Sequence, residues 1–235
     1  MTMTHSAPDT DRPAFDAVIF DLDGTLVDTM DVIFEAFVNT LLRFADRRVS
    51  REELFRGMGP PEEEMLRRYI PEASFPEAVE FFFGHYHRAA DRIRLFPGVQ
   101  EALERLAGAG VKLGLFTGKG RRGARWTLDL LDLAGWFTSP VTGDDVERYK
   151  PDPEGVLRAM SAAGVSAERS GRALVVGDSP YDIQAGRAAG AKTGVALWGV
   201  GDIARFDGGG VEADFRFGTP ADLVRAILPA SSEGA

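Results

Sequence analysis

The chain has 235 residues, 44% of them hydrophobic, and 36 acidic against 27 basic residues give a formal net charge of −9. This length fits one or two domains of ~100–200 residues, and the negative charge disfavours a nucleic-acid partner. The lack of cysteine excludes disulfide frameworks and thiolate chemistry, and the absence of a signal pattern and of any run near ~18 apolar residues predicts a cytoplasmic protein without a membrane partner.

A buried strand is predicted at residues 16–23, after an amino-terminal tail at 1–12 that we expect to be flexible. The run AVIF leads into Asp21, and Gly24 stops the strand, which is typical of a strand buried on both faces. Asp21 and Asp23 are two residues apart, so in an extended chain both carboxylates point to the same side. A plain turn would also use Asp and Gly, but a carboxylate after an apolar strand is costly unless positive charge meets it.

Residues 29–93 are predicted to form a small helical domain inserted after this first strand. The segment has no convincing strand, and a GMGP turn and several prolines break its helical pattern into pieces at 30–44, 50–56, 61–69 and 75–90. Helices inserted at this point would lie above the carboxyl edge of the sheet, where such folds bind ligands. We therefore expect a helical cap that acts as a lid.

Strands and helices alternate through the rest of the chain. The strands are predicted at 111–117, 139–142, 172–178 and 192–198, with a weaker one at 214–217. The helices between and after them are predicted at 99–109, 123–133, 153–163, 180–189 and 220–228. This alternation predicts an α/β fold with a doubly wound, mostly parallel, Rossmann-like sheet formed by residues 13–28 and 94–228. The last residues, 229–235, are expected to be a flexible tail.

Polar groups follow the later strands as well. Thr117, Gly118 and Lys119 stand just before a helix and offer a hydroxyl and backbone N–H groups to a phosphate. Lys150 precedes a proline-stiffened helix start. Asp178 ends the next strand, and Asp182 follows it in a helix-capping pattern.

The strand ends are thus expected to bring a repulsive group of carboxylates to one edge of the sheet. Asp21, Asp23 and Asp178 form this group, and Asp182 is a further candidate member. A hard divalent cation relieves such repulsion, and oxygen ligands without thiolates favour Mg²⁺ over zinc. His85 and His87 diverge on their predicted helix, so we expect both at the surface rather than on a metal.

Two other interpretations stay open. The run GKGRRG at 118–123 fits a dinucleotide-binding pattern, because it follows a strand and opens a helix, with Asp144 and Asp145 about twenty residues later. It ranks lower, because it leaves the acidic strand ends without a role. A receiver-type phosphoacceptor module also combines Asp, Thr and Lys, but it does not carry a helical lid. The basic residues from Lys119 to Arg125 also fit an exposed helix face.

The motifs together resemble the haloacid dehalogenase superfamily of phosphohydrolases. The matching pieces are DLDGTLV at 21–27, Thr117 after its strand, Lys150 before Pro151, and GDSPYD at 177–182, and they occur in the family's order. The chain looks like the phosphoglycolate phosphatase and pyrophosphatase branch, with a helical cap after the first strand. The runs GMGPP at 57–61, TGDDV at 142–146 and KPDPE at 150–154 are similar to bacterial pyrophosphatases.

This resemblance implies a role for each candidate residue. Asp21 would be the nucleophile, Asp23 the general acid and base, and Lys150 a charge-neutralising group. Mg²⁺ would be held by Asp21, the Asp23 backbone carbonyl and Asp178. Asp182 would orient its neighbours, while phosphate oxygens would be held by Thr117, Gly118 and Lys119.

The substrate implied by the resemblance is a small phosphorylated metabolite, with a phosphoglycolate-type monoester as the first expectation. Pyrophosphate and a sugar phosphate, with phosphatase or phosphomutase chemistry, are alternatives. Specificity would come from the cap, with 57–64 as the candidate segment and Glu62 to Glu64 equally typical of a solvated helix start. The oligomeric state is not readable from the sequence.

Overall fold

A computed structural model describes residues 12–200 and 211–229. Its main sheet has five strands in the spatial order β4-β1-β5-β6-β7, and every neighbouring pair is parallel. The strands are β1 Ala17–Phe20, β4 Lys112–Leu115, β5 Ala173–Gly177, β6 Lys192–Ala196 and β7 Phe215–Phe217. The α/β fold class is confirmed. Most of the two predicted tails, residues 1–11 and 230–235, lies outside the described residues.

Helices cover both faces of this sheet. They are α5 Val99–Gly108, α6 Arg121–Leu130, α7 Glu154–Ala162, α8 Pro180–Ala188 and α9 Pro220–Ile227. Alternate residues of β1 belong to two different apolar clusters: Val18 and Phe20 pack with α5 and α9, whereas Ala17 and Ile19 pack with α7. Burial on both faces explains why the strand reads as an unbroken apolar run.

The prediction of a strand at residues 139–142 is wrong. Val141 makes a single parallel bridge with Phe116, beside the edge strand β4, and no ladder continues from it. Pro140 explains the interruption, because it has no backbone N–H to donate to a ladder. The weaker prediction at 214–217 is confirmed as β7.

Four α-helices lie between the two strands of an antiparallel pair that marks where the chain leaves the sheet and returns to it. The helices are α1 Met30–Ala45, α2 Arg51–Gly57, α3 Glu62–Arg67 and α4 Phe75–Arg88, called here the inserted helices. The pair consists of β2 Val27–Asp28 and β3 Arg94–Leu95. The sequence pattern does not predict this pair, because a two-residue strand is too short to show the alternation of apolar and polar residues. α1 and α4 pack through aromatic rings, with the Phe37 and Phe82 centroids 4.7 Å apart.

The inserted helices meet the sheet at its carboxyl edge. A Cβ on Gly118 would stand 2.6 Å from the Gly59 carbonyl oxygen, so the two backbones touch and only glycine fits at 118. The loop between α2 and α3 therefore lies directly over the loop that follows β4. In the part of the chain that the structure describes, no helix is both long and apolar enough to span a bilayer.

Candidate active site

The end of β1 places Asp21 and Asp23 at the carboxyl edge of the sheet. The Asp21 N–H still donates to the Val176 carbonyl at 3.0 Å, so Asp21 continues the ladder. The chain then turns through Gly24, whose φ of +80° lies in the left-handed region. A Cβ there would lie 2.4 Å from Asp178 Oδ2, so glycine also lets the turn approach the end of β5.

Three carboxylates meet where β1 and β5 end. Asp21, Asp178 and Asp182 each place an oxygen within 4.8 Å of the others, and they are the one such group found among residues 12–200 and 211–229. Lys150 Nζ lies 2.7 Å from Asp21 Oδ1 and 2.7 Å from Asp182 Oδ1, and donates to the Phe116 carbonyl at 2.9 Å. Its side chain is only 6% exposed. Four of the predicted site residues therefore lie around one point.

The electrostatics of this cluster show an excess of negative charge. Burial raises the pKa of Asp21 from 3.8 to about 7, with Lys150 opposing and Asp182 adding to the rise. Burial, followed by repulsion from Asp182 and Asp21, raises the pKa of Asp178 well above its usual value. For Lys150, burial alone would lower the pKa, but Asp182 and Asp21 outweigh it and raise the pKa. Three carboxylates around one ammonium form an all-oxygen donor set that could hold a hard divalent cation.

Asp182 has two distinct contacts. Its Oδ2 accepts from the Ser179 hydroxyl at 2.6 Å and the Ser179 N–H at 3.0 Å, which completes the capping box at the start of α8. Its other oxygen pairs with Lys150. The helix cap that the sequence predicted therefore fixes the carboxylate that pairs with Lys150.

The Asp23 carboxylate lies apart from the three-carboxylate group. It accepts from the Thr29 hydroxyl at 2.6 Å, and Lys119 Nζ lies 3.3 Å from its Oδ2. Lys119 is also 4.3 Å from the centre of the Tyr86 ring, and its side chain is 1% exposed. The interpretation of Lys119 as part of an exposed helix face is wrong, because α4 of the inserted helices covers it.

Glu62 lies in the candidate segment 57–64, but sequence reasoning did not distinguish it from Glu63 and Glu64. Its carboxylate lies 3.2 Å from Lys119 Nζ and accepts from the Gly120 N–H at 2.7 Å, and the residue is 5% exposed. Glu63 and Glu64 are exposed, as a solvated helix start requires. Three consecutive glutamates look alike in sequence, so only the packing of α3 against the loop after β4 distinguishes the first of them.

Thr117 and Gly118 lie on the floor of a cavity of about 460 Å³. The Thr117 hydroxyl is buried and accepts from the Lys119 N–H at 3.1 Å. All eight predicted site residues line this cavity, and part of the 57–64 segment lines it from above through Met58, Gly59, Pro60 and Glu62.

The geometry disfavours dinucleotide binding at 118–123. Two backbone N–H groups at the start of α6 are already bonded to carboxylates: Gly120 donates to Glu62, and Arg121 donates to Asp144 Oδ2 at 2.6 Å. A pyrophosphate group would need these donors. The Asp144 carboxylate therefore serves the helix start rather than a ribose.

The histidine pair takes no part in the carboxylate cluster. His87 is not a simple surface residue, because its ring stacks on Trp126 at a centroid distance of 4.4 Å and its Nε2 is buried. Burial lowers the pKa of His87, which favours the neutral ring in this packing position.

The chain is similar to known hydrolases over most of its length. A family model described as haloacid dehalogenase-like hydrolase matches residues 18–196, which include every predicted site residue. The pyrophosphatase PpaX of Anoxybacillus flavithermus is 35% identical over 183 residues, covering 77% of this chain and 83% of the relative. The phosphoglycolate phosphatase of Aquifex aeolicus is 32% identical over 211 residues, covering 89% of this chain and 95% of the relative. A solved hydrolase from Pseudomonas syringae has a TM-score of 0.75 at 28% identity, covering 89% of this chain and 96% of that one.

Proposed function

This chain belongs to the haloacid dehalogenase-like hydrolase family and is a phosphatase, and from that premise we propose that it hydrolyses a small phosphate monoester with Mg²⁺ through an aspartyl-phosphate intermediate. The observation that carries the proposal is the placement of Asp21 beside Lys150 and Asp178 at the bottom of one cavity. A carboxylate in that position can act as a nucleophile toward phosphorus.

Asp21 acts as the nucleophile, and Asp23 first donates a proton and later accepts one. A carboxylate oxygen of Asp21 forms a bond to phosphorus while the bond from phosphorus to the leaving-group oxygen breaks. Protonated Asp23 gives its proton to that oxygen, so the product leaves as an alcohol. The Asp23 carboxylate then takes a proton from the attacking water, which releases phosphate and restores Asp21.

The neighbouring groups stabilise negative charge and hold geometry. Lys150, fixed by Asp182, offsets charge on the transferring phosphoryl group, and Thr117 with the Gly118 N–H holds its oxygens. Lys119, held between Asp23 and Glu62, adds a positive charge to the lining of the same cavity. Asp21, the Asp23 carbonyl and Asp178 would hold Mg²⁺, which would reduce the repulsion between the Asp21 carboxylate and the phosphate.

The substrate proposal starts from the relatives. Aquifex phosphoglycolate phosphatase and the PpaX pyrophosphatases are named for a monoester and an anhydride. We place phosphoglycolate-type monoesters first, because Asp23 is suited to protonate an alkoxide, and inorganic pyrophosphate second. A sugar phosphate is a third candidate. A receiver-type module would keep the phosphoryl group, whereas this chain is a phosphatase that turns over.

Release of phosphate from p-nitrophenyl phosphate tests the proposal. We expect Mg²⁺-dependent turnover that excess EDTA stops and added Mg²⁺ restores. Asp23→Ala should slow esters of poor leaving groups more than p-nitrophenyl phosphate, because p-nitrophenolate leaves without a proton. Full activity in EDTA would remove the metal from the mechanism, and equal losses for both classes of ester would remove Asp23 as the acid.

A further inference from the structure

The cavity above Asp21 has two chemically different halves. The half formed by the sheet edge carries the aspartates, Lys150, Thr117 and Lys119. The half formed by the inserted helices is mainly apolar. Its apolar wall consists of Met30, Ile33, Phe37, Phe55, Met58 and Met65, and its charged residues are Glu52, Arg56 and Glu62. Because the phosphate must reach Asp21 on the polar floor, the remainder of the substrate extends toward this apolar wall.

The charged residues of the lining are largely paired with one another. Six carboxylates line the cavity against three cations, the acids being Asp21, Asp23, Glu52, Glu62, Asp178 and Asp182. Two of the cations already have two carboxylate partners each in the lining. Lys150 lies between Asp21 and Asp182, and Lys119 lies between Asp23 and Glu62. A second anionic group on the substrate would find no unshared lysine in this lining to receive it.

The third cation, Arg56, stands at the rim. It pairs with Glu52 at 2.8 Å, and both side chains are about three-quarters exposed to solvent, at 74% and 78%. A pair of this kind is neutral as a unit and screened by water, so it gives little attraction for an anion.

We infer that the natural leaving group is an uncharged alcohol with an aliphatic or aromatic portion that packs against Met30, Phe55 and Met58. The inference rests on the proposed phosphatase function, and it replaces the substrate order taken from the names of the relatives with an order taken from the cavity lining. A cavity of about 460 Å³ is in the range of ~300–1,000 Å³ typical of small-molecule sites. A glycolate or a second phosphate would leave the apolar wall uncovered and bring another negative charge to it, so phosphoglycolate itself and pyrophosphate rank below such esters.

A matched pair of substrates tests the inference on the wild-type protein. Benzyl phosphate and its 4-carboxybenzyl analogue share the same reacting atoms and differ only by a remote carboxylate. With Mg²⁺ present, kcat/KM for benzyl phosphate should exceed that for the analogue, and that for phosphoglycolate or pyrophosphate, by about tenfold or more, mainly through KM. Equal values, or a preference for any of the anionic compounds, would overturn the inference. Failure to release phosphate from any ester would instead overturn the proposed function.

A charge added to the apolar wall gives a second measurement. Met58 precedes Gly59, which touches Gly118 at the phosphate-binding loop, so Met58→Lys places an ammonium beside the leaving group. The ratio of kcat/KM for the carboxylated over the plain benzyl ester should rise by about tenfold. Leu42→Lys adds the same charge to an exposed position of α1 away from the cavity and should leave the ratio unchanged. A ratio unmoved by Met58→Lys in a folded variant, or moved equally by both, would contradict the placement of the leaving group.

Discussion

The sheet edge and the inserted helices place the same types of charged side chain in different environments. At the edge, the side chains of Lys119 and Lys150 are 1% and 6% exposed and each lies between two carboxylates. In the inserted helices, pairs such as Arg67 with Glu72 are largely solvated, at 46% and 83% exposure. Solvated pairs contribute little to stability, whereas a buried charge deprived of its partner is costly. Charged residues are therefore buried and paired at the sheet edge, where the proposed reaction takes place, and largely solvated on the inserted helices.

Glu62 is the exception that joins the two regions. It belongs to α3 of the inserted helices, yet it is buried and contacts Lys119 and the Gly120 N–H of the sheet domain. The comparison therefore predicts that substitutions at the edge and at Glu62 will have large effects, while similar changes on the solvated faces will have small ones.

The largest effect is expected for Asp21→Asn, a substitution at the sheet edge. An amide is not a nucleophile toward phosphorus, so kcat for p-nitrophenyl phosphate should fall by at least about 10⁴-fold. Asp28→Asn, an exposed change in the neighbouring β2, is the matched control and should keep wild-type activity. A variant Asp21→Asn that retained a tenth of the activity would refute the assignment of the nucleophile.

A pH series distinguishes the sheet edge from the inserted helices. Carboxyl groups in the two regions change the free energy of unfolding in opposite directions as the pH rises. The folded protein holds the Asp21 proton up to about pH 7, whereas the unfolded chain releases it near 3.8. Between these values the folded state binds more protons, so raising the pH lowers the free energy of unfolding. On the inserted helices the opposite holds: a hydrogen bond from Arg122 lowers the pKa of Glu80, so its small contribution is lost as the pH falls.

Urea denaturation in EDTA from pH 4 to pH 8 measures this difference. Subtracting the curve of Asp21→Asn from that of the wild type should isolate a stability that decreases toward neutral pH, and Mg²⁺ should offset the decrease. Identical slopes for the two proteins would show that the Asp21 carboxyl is not held in the protonated form.

The smallest of the three effects is expected for Glu62→Gln. The amide can still accept from Gly120 but no longer balances the Lys119 charge, so the free energy of unfolding should fall by about 1–3 kcal/mol. Glu64→Gln, two residues along the same helix and exposed, should change it by less than about 0.5 kcal/mol. Equal changes in the two variants would mean that Glu62 does not join the inserted helices to the sheet.

Much of the fold was readable from local patterns. The apolar runs before Asp21 and Asp178 predict buried parallel strands, and the Ser179 and Asp182 capping box predicts the start of α8. The prediction failed where local chemistry was ambiguous. The segment at 139–142 has strand-like residues but contains Pro140, and the pair β2 and β3 is too short to show a period.

The sequence alone indicated that Asp21, Asp178 and Asp182 would converge, because parallel strands end at a common edge and the residues that follow them meet there. The place of Lys150 came from the family resemblance, since the strand predicted before it at 139–142 does not form. Only the tertiary structure decided that Glu62 is buried while Glu64 is not, and that methionines and phenylalanines form one half of the cavity. The physical reason is that burial depends on what packs above a residue. A glutamate at a helix start has the same local preference whether water or a lysine from another region faces it.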